Sequence, residues 1–439
     1  MALKIAVVGM GYVGLTTAVC LAKLGNDVVG VDKDARKVKM LKGGKLPIYE
    51  PGLYDLFRQV VNSEKLVFEE SIPRAIENVG VIFICVGTPS LSDGTADLSQ
   101  VEEVARTISE NLDSYRLIVE KSTVPVNTAK WIRRTIELYS KGRSVEFDVA
   151  SNPEFLREGR AVEDFFHPDR IVIGVDSERA KKLLLELYSP IDTKVLVVDI
   201  PTAELIKHAS NSFLALKISF INMIADLCDK TGADVKMVAD GMGLDKRIGR
   251  AFLDAGLGYG GSCFPKDTKA LFRIGESYHL DFGLLKAVDV INQGRVERFI
   301  EKVKDALWVL KDKVIAVWGL SFKPDTDDIR EAPSIRIVRR LLEEGASLRL
   351  FDPKAMENVK RVFPPSGRLL YVNDMYEAVD GANALLIVTE WNEFKTADLR
   401  KVASYMKTPV VVDGRNIFEP EEVKKHNIFY YSMGRGKSA

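Results

Sequence analysis

Cys263 is the residue in this chain whose setting most resembles that of a reagent. It stands in Gly256-Leu257-Gly258-Tyr259-Gly260-Gly261-Ser262-Cys263-Phe264-Pro265-Lys266-Asp267, with glycines on one side and a helix opening at Pro265 on the other. Proline favours a first helical turn, so the thiol falls beside unpaired backbone N–H groups and the positive end of a helix dipole, both of which stabilise thiolate. The residue therefore reads as a covalent nucleophile. A small buried hydrophobe is the commoner fate of a cysteine, and Cys20, Cys85 and Cys228, each inside an apolar pattern, fit that description.

A second chemistry-bearing pattern opens the chain. Gly9-Met10-Gly11-Tyr12-Val13-Gly14 fits GxGxxG between the β-rich run 4–8 and a helical stretch 12–24, and Asp32 ends the next apolar run, 28–31. In that context the first glycine permits the turn and the second lets backbone approach a pyrophosphate. The third lets the helix pack on the sheet, and the acid accepts from a ribose hydroxyl. An acid there repels a 2′-phosphate, so NAD is expected rather than NADP, with Lys33 and Lys37 near enough to soften the exclusion. Val86-Gly87-Thr88-Pro89 and Lys121-Ser122-Thr123-Val124-Pro125 each follow an apolar strand, and such strand ends face the ligand crevice of an open parallel sheet.

Thiol and NAD together constrain the reaction. An enzyme that only interconverts alcohol and carbonyl needs a proton acceptor, not a nucleophile. An aldehyde carbon, by contrast, must gain an oxygen or sulfur substituent before it can release hydride. Thiolate addition gives a thiohemiacetal, and its oxidation gives a thioester that water hydrolyses. Two hydrides would leave per substrate, with a cation or amide at the oxyanion and a base for the alcohol and the water.

Suitable groups are present. In Ser151-Asn152-Pro153-Glu154-Phe155-Leu156-Arg157-Glu158-Gly159 a cap and helix-start pattern places Glu154 and Glu158 one turn apart on one side. Lys207 and Asn211 have the same spacing on a long helical stretch and would converge on one point. Each pair can equally be a solvated face, an option narrowed for Lys207 and Asn211 by apolar Leu205, Ile206, Phe213 and Leu214 around them. Asp267 can orient or deprotonate water, or merely complement the helix dipole.

At 439 residues the chain is long enough for two or three domains at roughly 150 residues each. An α/β architecture is expected, with two Rossmann-like doubly wound parallel-sheet domains joined by a long central helix. Apolar runs at 81–86, 117–119 and 147–150 complete a first domain over 1–200. Helices over 202–229 and 284–310 flank the cysteine loop in a central region, 201–311. Runs at 314–317, 348–350, 384–388 and 410–412 make a second sheet over 312–425, followed by a tail, 426–439.

Composition excludes several functions. Acidic and basic residues balance at 62 each, so no basic excess exists for nucleic acid or an anionic membrane. Four unevenly spaced cysteines make neither a disulfide framework nor a CxxC zinc pattern, and no metal is expected. Gly9, Gly11 and Gly14 interrupt the apolar start too early for a signal peptide, and no stretch approaches the roughly 18 apolar residues that span a bilayer. A soluble cytoplasmic protein is expected.

Taken together, these segments closely resemble the UDP-glucose/GDP-mannose dehydrogenase family from Gly9 to about Phe418. GMGYVGL, KSTVP at Lys121, SNPEFLREG at Ser151, the Lys207/Asn211 pair, GGSCFPKD at Gly260 and GLSFKPDTDDIREAPS at Gly319 carry the resemblance. It implies an NAD-binding N-terminal domain, a central helical dimerisation region, and a C-terminal domain that holds the nucleotide of the sugar donor. It makes Cys263 the nucleophile, gives Lys207 and Asn211 the oxyanion, and gives Thr123, Glu154 and Asp267 water and proton transfer. Cofactor contacts carry over to Gly11, Tyr12, Val13, Asp32, Lys37, Thr88, Thr123, Glu158 and Arg330. Sugar-nucleotide contacts carry over to Phe252, Leu253, Gly260, Phe322 and Lys323. Glu154, Phe155, Leu156 and Glu158 line the substrate, Arg247 reaches the neighbouring subunit's substrate, and Arg415 is a further binding arginine.

The implied reaction is four-electron oxidation of UDP-glucose at C6, with two NADH per UDP-glucuronate, on a homodimer or higher homo-oligomer. Asp245-Lys246-Arg247-Ile248-Gly249 favours the UDP-glucose branch, and GDP-mannose oxidation is the alternative within the family. A two-electron hydroxy-acid dehydrogenase with a structural Cys263, and a silent binding protein, are the alternatives outside it. Asn127 stands where the family's VPVGT run has glycine, which puts the geometry of that loop in question.

Overall fold

Short β-branched runs alternating with helical periodicity fold as parallel strands when helices bury both faces of the sheet. The computed structural model describes residues 2–140, 142–143 and 145–436. It divides into two compact units, Met1–Ser210 with Arg273–Leu280, and Asn211–Phe272 with Asp281–Ala439. The first unit holds strands β1 (Lys4–Val8), β2 (Asp27–Val31), β3 (Leu66–Glu69), β4 (Val81–Ile84), β5 (Arg116–Glu120), β6 (Phe147–Ser151), β7 (Ile171–Val175) and β8 (Val195–Val198). They form one sheet in the order β3-β2-β1-β4-β5-β6-β7-β8. Alternate side chains feed two cores. Ile5, Val7, Phe83, Leu117 and Val119 lie on one face, and Ala6, Val8, Ile82, Ile84 and Ile118 on the other. The order reverses between β1 and β4, the kind of switch point at which such sheets bind ligands beyond the carboxyl ends of their strands.

The doubly wound parallel architecture expected from the sequence is present, with one departure at its edge. β6 and β7 are antiparallel and meet only through Ala150 opposite Val175 and Ser151 opposite Gly174. β8 then runs parallel to β7, with Gly174 opposite Val198.

The second unit holds β9 (Val314–Trp318), β10 (Ser347–Phe351), β11 (Leu369–Tyr371), β12 (Ala384–Ile387), β13 (Val410–Asp413) and β14 (Phe429–Ser432). Their order, β11-β10-β9-β12-β13-β14, repeats that of β1 to β6 in the first sheet. β14 lies inside the segment expected as a tail. Tyr430 and Ser432 are buried there, and the strand pairs along its length with β13, an anchorage its Lys- and His-rich flank conceals.

The two units divide between Ser210 and Asn211, within a single helix, Ile200–Thr231. Pro201 occupies its first turn, where a missing N–H costs nothing, so the helix begins two residues before the expected start. By length and composition this helix is apolar enough to cross a membrane, contrary to the expectation that no such stretch exists. Its buried Glu204, Lys207, His208, Asn211 and Asn222 nonetheless have protein partners, as befits a core helix. A second long helix, Gly283–Leu307, falls close to its expected bounds.

Candidate active site

The glycine motif sits where β1 turns into the helix Tyr12–Lys23. Gly9 has φ +100°, and a Cβ there would stand 2.6 Å from the Cys85 carbonyl oxygen, so this turn admits no side chain. A Cβ on Gly14 would lie 1.7 Å from the Gly9 carbonyl oxygen, whereas one on Gly11 would meet nothing within 4 Å. Room is therefore left beside a helix start that lacks a side-chain cap, and the first N–H groups, those of Tyr12 and Val13 among them, fit a diphosphate. Asp32 closes this end. Its Oδ2 accepts from Met10 N at 2.9 Å and Lys37 Nζ at 2.6 Å, and its Oδ1 from Asp34 N at 3.0 Å. Lys37 is thus held on the acid expected at the ribose, and Lys33 pairs with Glu103 at 3.3 Å. Glycine space and a fixed acid together fit NAD. Thr88 Oγ1 donates to the Thr123 carbonyl at 2.8 Å, joining the two strand-end loops placed at the crevice.

The segment 151–159 does not form the expected helix start. A helix begins only at Ala161–Phe166, because side chains from elsewhere take the N–H groups a helix would use. Glu154 Oε2 accepts from Leu156 N at 2.5 Å, Asp164 Oδ2 from Arg157 N at 2.9 Å, and Glu50 from Gly159 N and Ala161 N, both at 2.8 Å. Glu154 and Glu158 therefore share no helical face. The loop instead delivers buried Glu154 to buried Lys207, with Oε1 3.0 Å from Nζ. Phe155 lies between cations, its ring centre 5.4 Å from Lys207 Nζ and 3.8 Å from the Arg170 guanidinium.

Sequence reasoning misses Lys121 as a group in its own right. It is buried and donates to Asn152 Oδ1 at 3.0 Å and to the Asn152 carbonyl at 3.3 Å. Burial pulls its pKa below the ordinary lysine value, against the pull of Cys85, Glu154 and Glu120. A lysine directly after a wholly buried strand is the available signal. Burial also pushes the Cys85 thiol up to about 12, so this cysteine is inert, as its apolar setting implies.

The same helix grips the Thr123 loop. Glu204 accepts from Asn127 N at 2.6 Å and Ala129 N at 2.9 Å, and His208 Nε2 donates to the Val124 carbonyl at 2.7 Å. Asn127 has φ +75°, the left-handed conformation that asparagine tolerates best after glycine, so the loop accommodates this departure from VPVGT. The helix Thr128–Tyr139 has no side-chain cap from Asn127, and Glu204 caps it from another element. Desolvation raises the Glu204 pKa, with the backbone donors opposing.

Asn211, one turn beyond Lys207 in the chain, donates to Asp267 Oδ2 at 2.6 Å. Lys207 and Asn211 thus share no partner within the chain; each is joined to its own buried acid. Lys266 Nζ stands 3.0 Å from the other Asp267 oxygen. Cys263 directly precedes the helix Phe264–Ser277, and its carbonyl accepts from Asp267 N at 2.8 Å, which places it at the helix start as expected. Its Sγ lies 3.7 Å from Ser262 Oγ.

The residues expected at the sugar nucleotide lie in the second unit. Gly260 packs on the Glu331 carbonyl and the Phe322 side chain, Leu253 is buried, and the Phe252 and Phe264 rings lie 6.1 Å apart. Lys323 Nζ is 5.4 Å from the centre of the Phe322 ring. Arg330, expected at the cofactor, also belongs to the second unit and forks onto Asp328 at 2.7–3.0 Å. Arg247 forks onto Asp245 with its side chain 89% exposed. Arg415 faces inward, donating to the carbonyls of Val388 at 2.7 Å, Gly258 at 3.1 Å and Phe322 at 3.3 Å.

Comparison with known proteins accounts for both units. Residues 3–192 match the NAD binding domain of the UDP-glucose/GDP-mannose dehydrogenase family, residues 201–294 its central domain and residues 316–420 its UDP binding domain. The chain belongs to the UDP-glucose/GDP-mannose dehydrogenase family. It is 47% identical to a UDP-glucose 6-dehydrogenase of Rhizobium meliloti over 99% of this chain and 100% of the relative. It is 46% identical to UDP-glucose 6-dehydrogenase TuaD of Bacillus subtilis over 98% of this chain and 93% of the relative. Among solved structures, a UDP-glucose dehydrogenase from the hyperthermophilic archaeon Pyrobaculum islandicum superposes with a TM-score of 0.92 at 41% identity, covering 99% of this chain and 98% of the other. As a member of the UDP-glucose/GDP-mannose dehydrogenase family the chain is an NAD-dependent oxidoreductase, and the matched NAD domain contains the glycine turn and Asp32 described above.

Proposed function

We propose that this chain oxidises C6 of UDP-glucose to the carboxylate of UDP-glucuronate, with two hydrides leaving per sugar and Cys263 carrying the sugar between the two oxidations. The substrate rests on relatives 41–47% identical over nearly the whole chain. The chemistry rests on one observation: successive turns of one helix carry two donors, Lys207 and Asn211, each joined to a buried acid. NAD, when bound, accepts hydride. The C6 hydroxyl first gives its proton to a base as hydride leaves C6, which yields the aldehyde. The Cys263 thiolate then adds to C6, and the charge that forms on oxygen is met by the Lys207 ammonium and the Asn211 amide. Loss of the second hydride leaves a thioester. Water attacks it, Glu154 with Thr123 takes the water's proton, the C–S bond breaks and the thiolate returns.

The test is stoichiometric. Purified protein is incubated with NAD and either UDP-glucose or GDP-mannose, and NADH is counted per product. Two NADH per UDP-glucose is expected; turnover of GDP-mannose alone would overturn the substrate, and a ratio of one would remove the thioester. Cys263→Ser is expected to lose nearly all turnover, because a hydroxyl is a far weaker nucleophile source than a thiol at neutral pH.

A homodimer is part of the same reading. Phe213, Phe220 and Leu227 recur every seven residues on the long helix and are 61%, 38% and 58% exposed, a stripe suited to a second copy of the chain. An active monomer in sedimentation would refute it. None of the four cysteines is in a disulfide, which supports a reducing compartment such as the cytoplasm.

A further inference from the structure

The run Gly256–Tyr259 leads to Cys263 without belonging to any helix or strand, and it is buried throughout. Backbone in that position needs partners for its N–H and C=O groups, and here side chains provide them for Gly256, Gly258 and Tyr259. Gly256 N donates to Asn222 Oδ1 at 2.8 Å, and the Gly256 carbonyl accepts from Arg295 Nε at 3.0 Å. The Gly258 carbonyl accepts from Arg415 Nη1 at 3.1 Å. Tyr259 N donates to Asn292 Oδ1 at 2.9 Å while Asn292 Nδ2 donates back to the Tyr259 carbonyl at 3.0 Å. A single amide thus reproduces one rung of an antiparallel ladder.

The fit around this amide is tight. Gly258 has φ +81°, and a Cβ there would stand 2.3 Å from Asn292 Oδ1 and 3.3 Å from Arg295 Cγ. Arg295, 1% exposed, lies one turn beyond Asn292 on the helix Gly283–Leu307. It is itself held by Asp226 Oδ1 at 2.5 Å and the Asn222 carbonyl at 3.2 Å. Four side chains from three parts of the chain therefore converge on four residues of backbone.

We propose that Asn292 is a positioning residue for the nucleophile: with Arg295 it fixes Gly256–Tyr259 as a strut, so that the sulfur four residues beyond Tyr259 keeps one place through both oxidations. This rests on the reading of Cys263 as the nucleophile. A thiolate that must add to an aldehyde and then hold the adduct for a second hydride transfer needs its position kept twice, and a displacement of about 1 Å is enough to cost on the order of 100-fold in rate.

The experiment is Asn292→Ala, read as kcat, KM for each substrate and thermal midpoint, at a temperature where the variant is folded. The expected result is a kcat lower by roughly 10- to 100-fold with KM for NAD within about twofold of wild type. Gly258→Ala, which drives a methyl into the same amide, is expected to lose activity alone, and to cost less in the Asn292→Ala background than in wild type. A kcat within twofold of wild type in Asn292→Ala, however far its thermal midpoint falls, would overturn the proposal. Should Asn292→Ala not fold, Asn292→Ser is measured in its place, with the same loss of kcat expected and the same wild-type-like kcat fatal to the proposal. Cys263→Ser in the same assay separates the two readings. Turnover by Cys263→Ser means the nucleophile has been misassigned, whereas a dead Cys263→Ser beside a fully active Asn292→Ala removes the positioning role alone.

Discussion

Replacing Lys207 by methionine keeps most of the side chain's apolar stem and deletes its charge, and the structure sets the size of the effect. The Lys207 and Glu154 side chains are each 5% exposed and 3.0 Å apart, and removing one partner of a buried pair costs about 3–5 kcal/mol because the other charge is left uncompensated. The neighbouring Lys121 ammonium also attracts Glu154, so the lower end, about 3 kcal/mol, is expected. Glu154→Leu strands Lys207 in the same way. The double variant should return close to wild-type stability, since apolar replacement of a whole buried pair is often neutral. Urea denaturation of the four proteins, compared at constant m, gives the coupling. All three variants should lose on the order of 100-fold or more in kcat/KM, as expected when an oxyanion donor or its partner is removed. The double variant, stable but inactive, then separates the structural from the chemical role of the pair. A loss below about 1 kcal/mol in Lys207→Met, or a double variant no more stable than the singles, would refute the reasoning.

Two further outcomes test other parts of the structure. Because desolvation raises the Glu204 pKa above the ordinary carboxylate value of about 4.3, the folded state holds an extra proton between those two values. Glu204 therefore contributes most below the ordinary value, and stability falls as pH rises through the folded value. Glu204→Gln should flatten that fall when thermal midpoints are measured from about pH 4 upward, and an unchanged slope would contradict it. Asp32→Asn removes the charge that holds Lys37 and receives Met10 N. The ratio of kcat/KM with NAD to that with NADP should drop about tenfold or more, worth roughly 1.4 kcal/mol, and a preserved ratio would place cofactor selection elsewhere.

What the sequence reveals and what it hides divide along the range of the interactions. The glycine turn with Asp32, the thiol at a helix start and the strands buried on both faces depend on neighbours a few residues away, and each reads directly from spacing. The segment 151–159 looks helical by the same local logic. It is not, because Glu50, more than a hundred residues away in sequence, takes two of its N–H groups. Lys207 and Asn211 do share one helix, as their spacing implies, but their separate acids lie 53 and 56 residues away in sequence. Asn292 and Arg295 draw no notice because an asparagine and an arginine in a helix look solvated until the backbone they serve is folded against them. β14 reads as tail because its pairing with β13 leaves no mark in its own composition.

The antiparallel step at β6 decides where the long helix departs. β7 descends from above and meets β6 only at its tip, so Ser151, Gly174 and Val198 stand at one height. The chain therefore quits the sheet at the rim where β1 to β6 all terminate, although β7 and β8 run against them. A helix launched there at Ile200 needs about two turns to bring an ammonium level with a carboxylate that sits three residues past Ser151. Because β7 meets β6 only at its tip, the reversed strands still end at that rim, and the helix that follows gives the rim its cation.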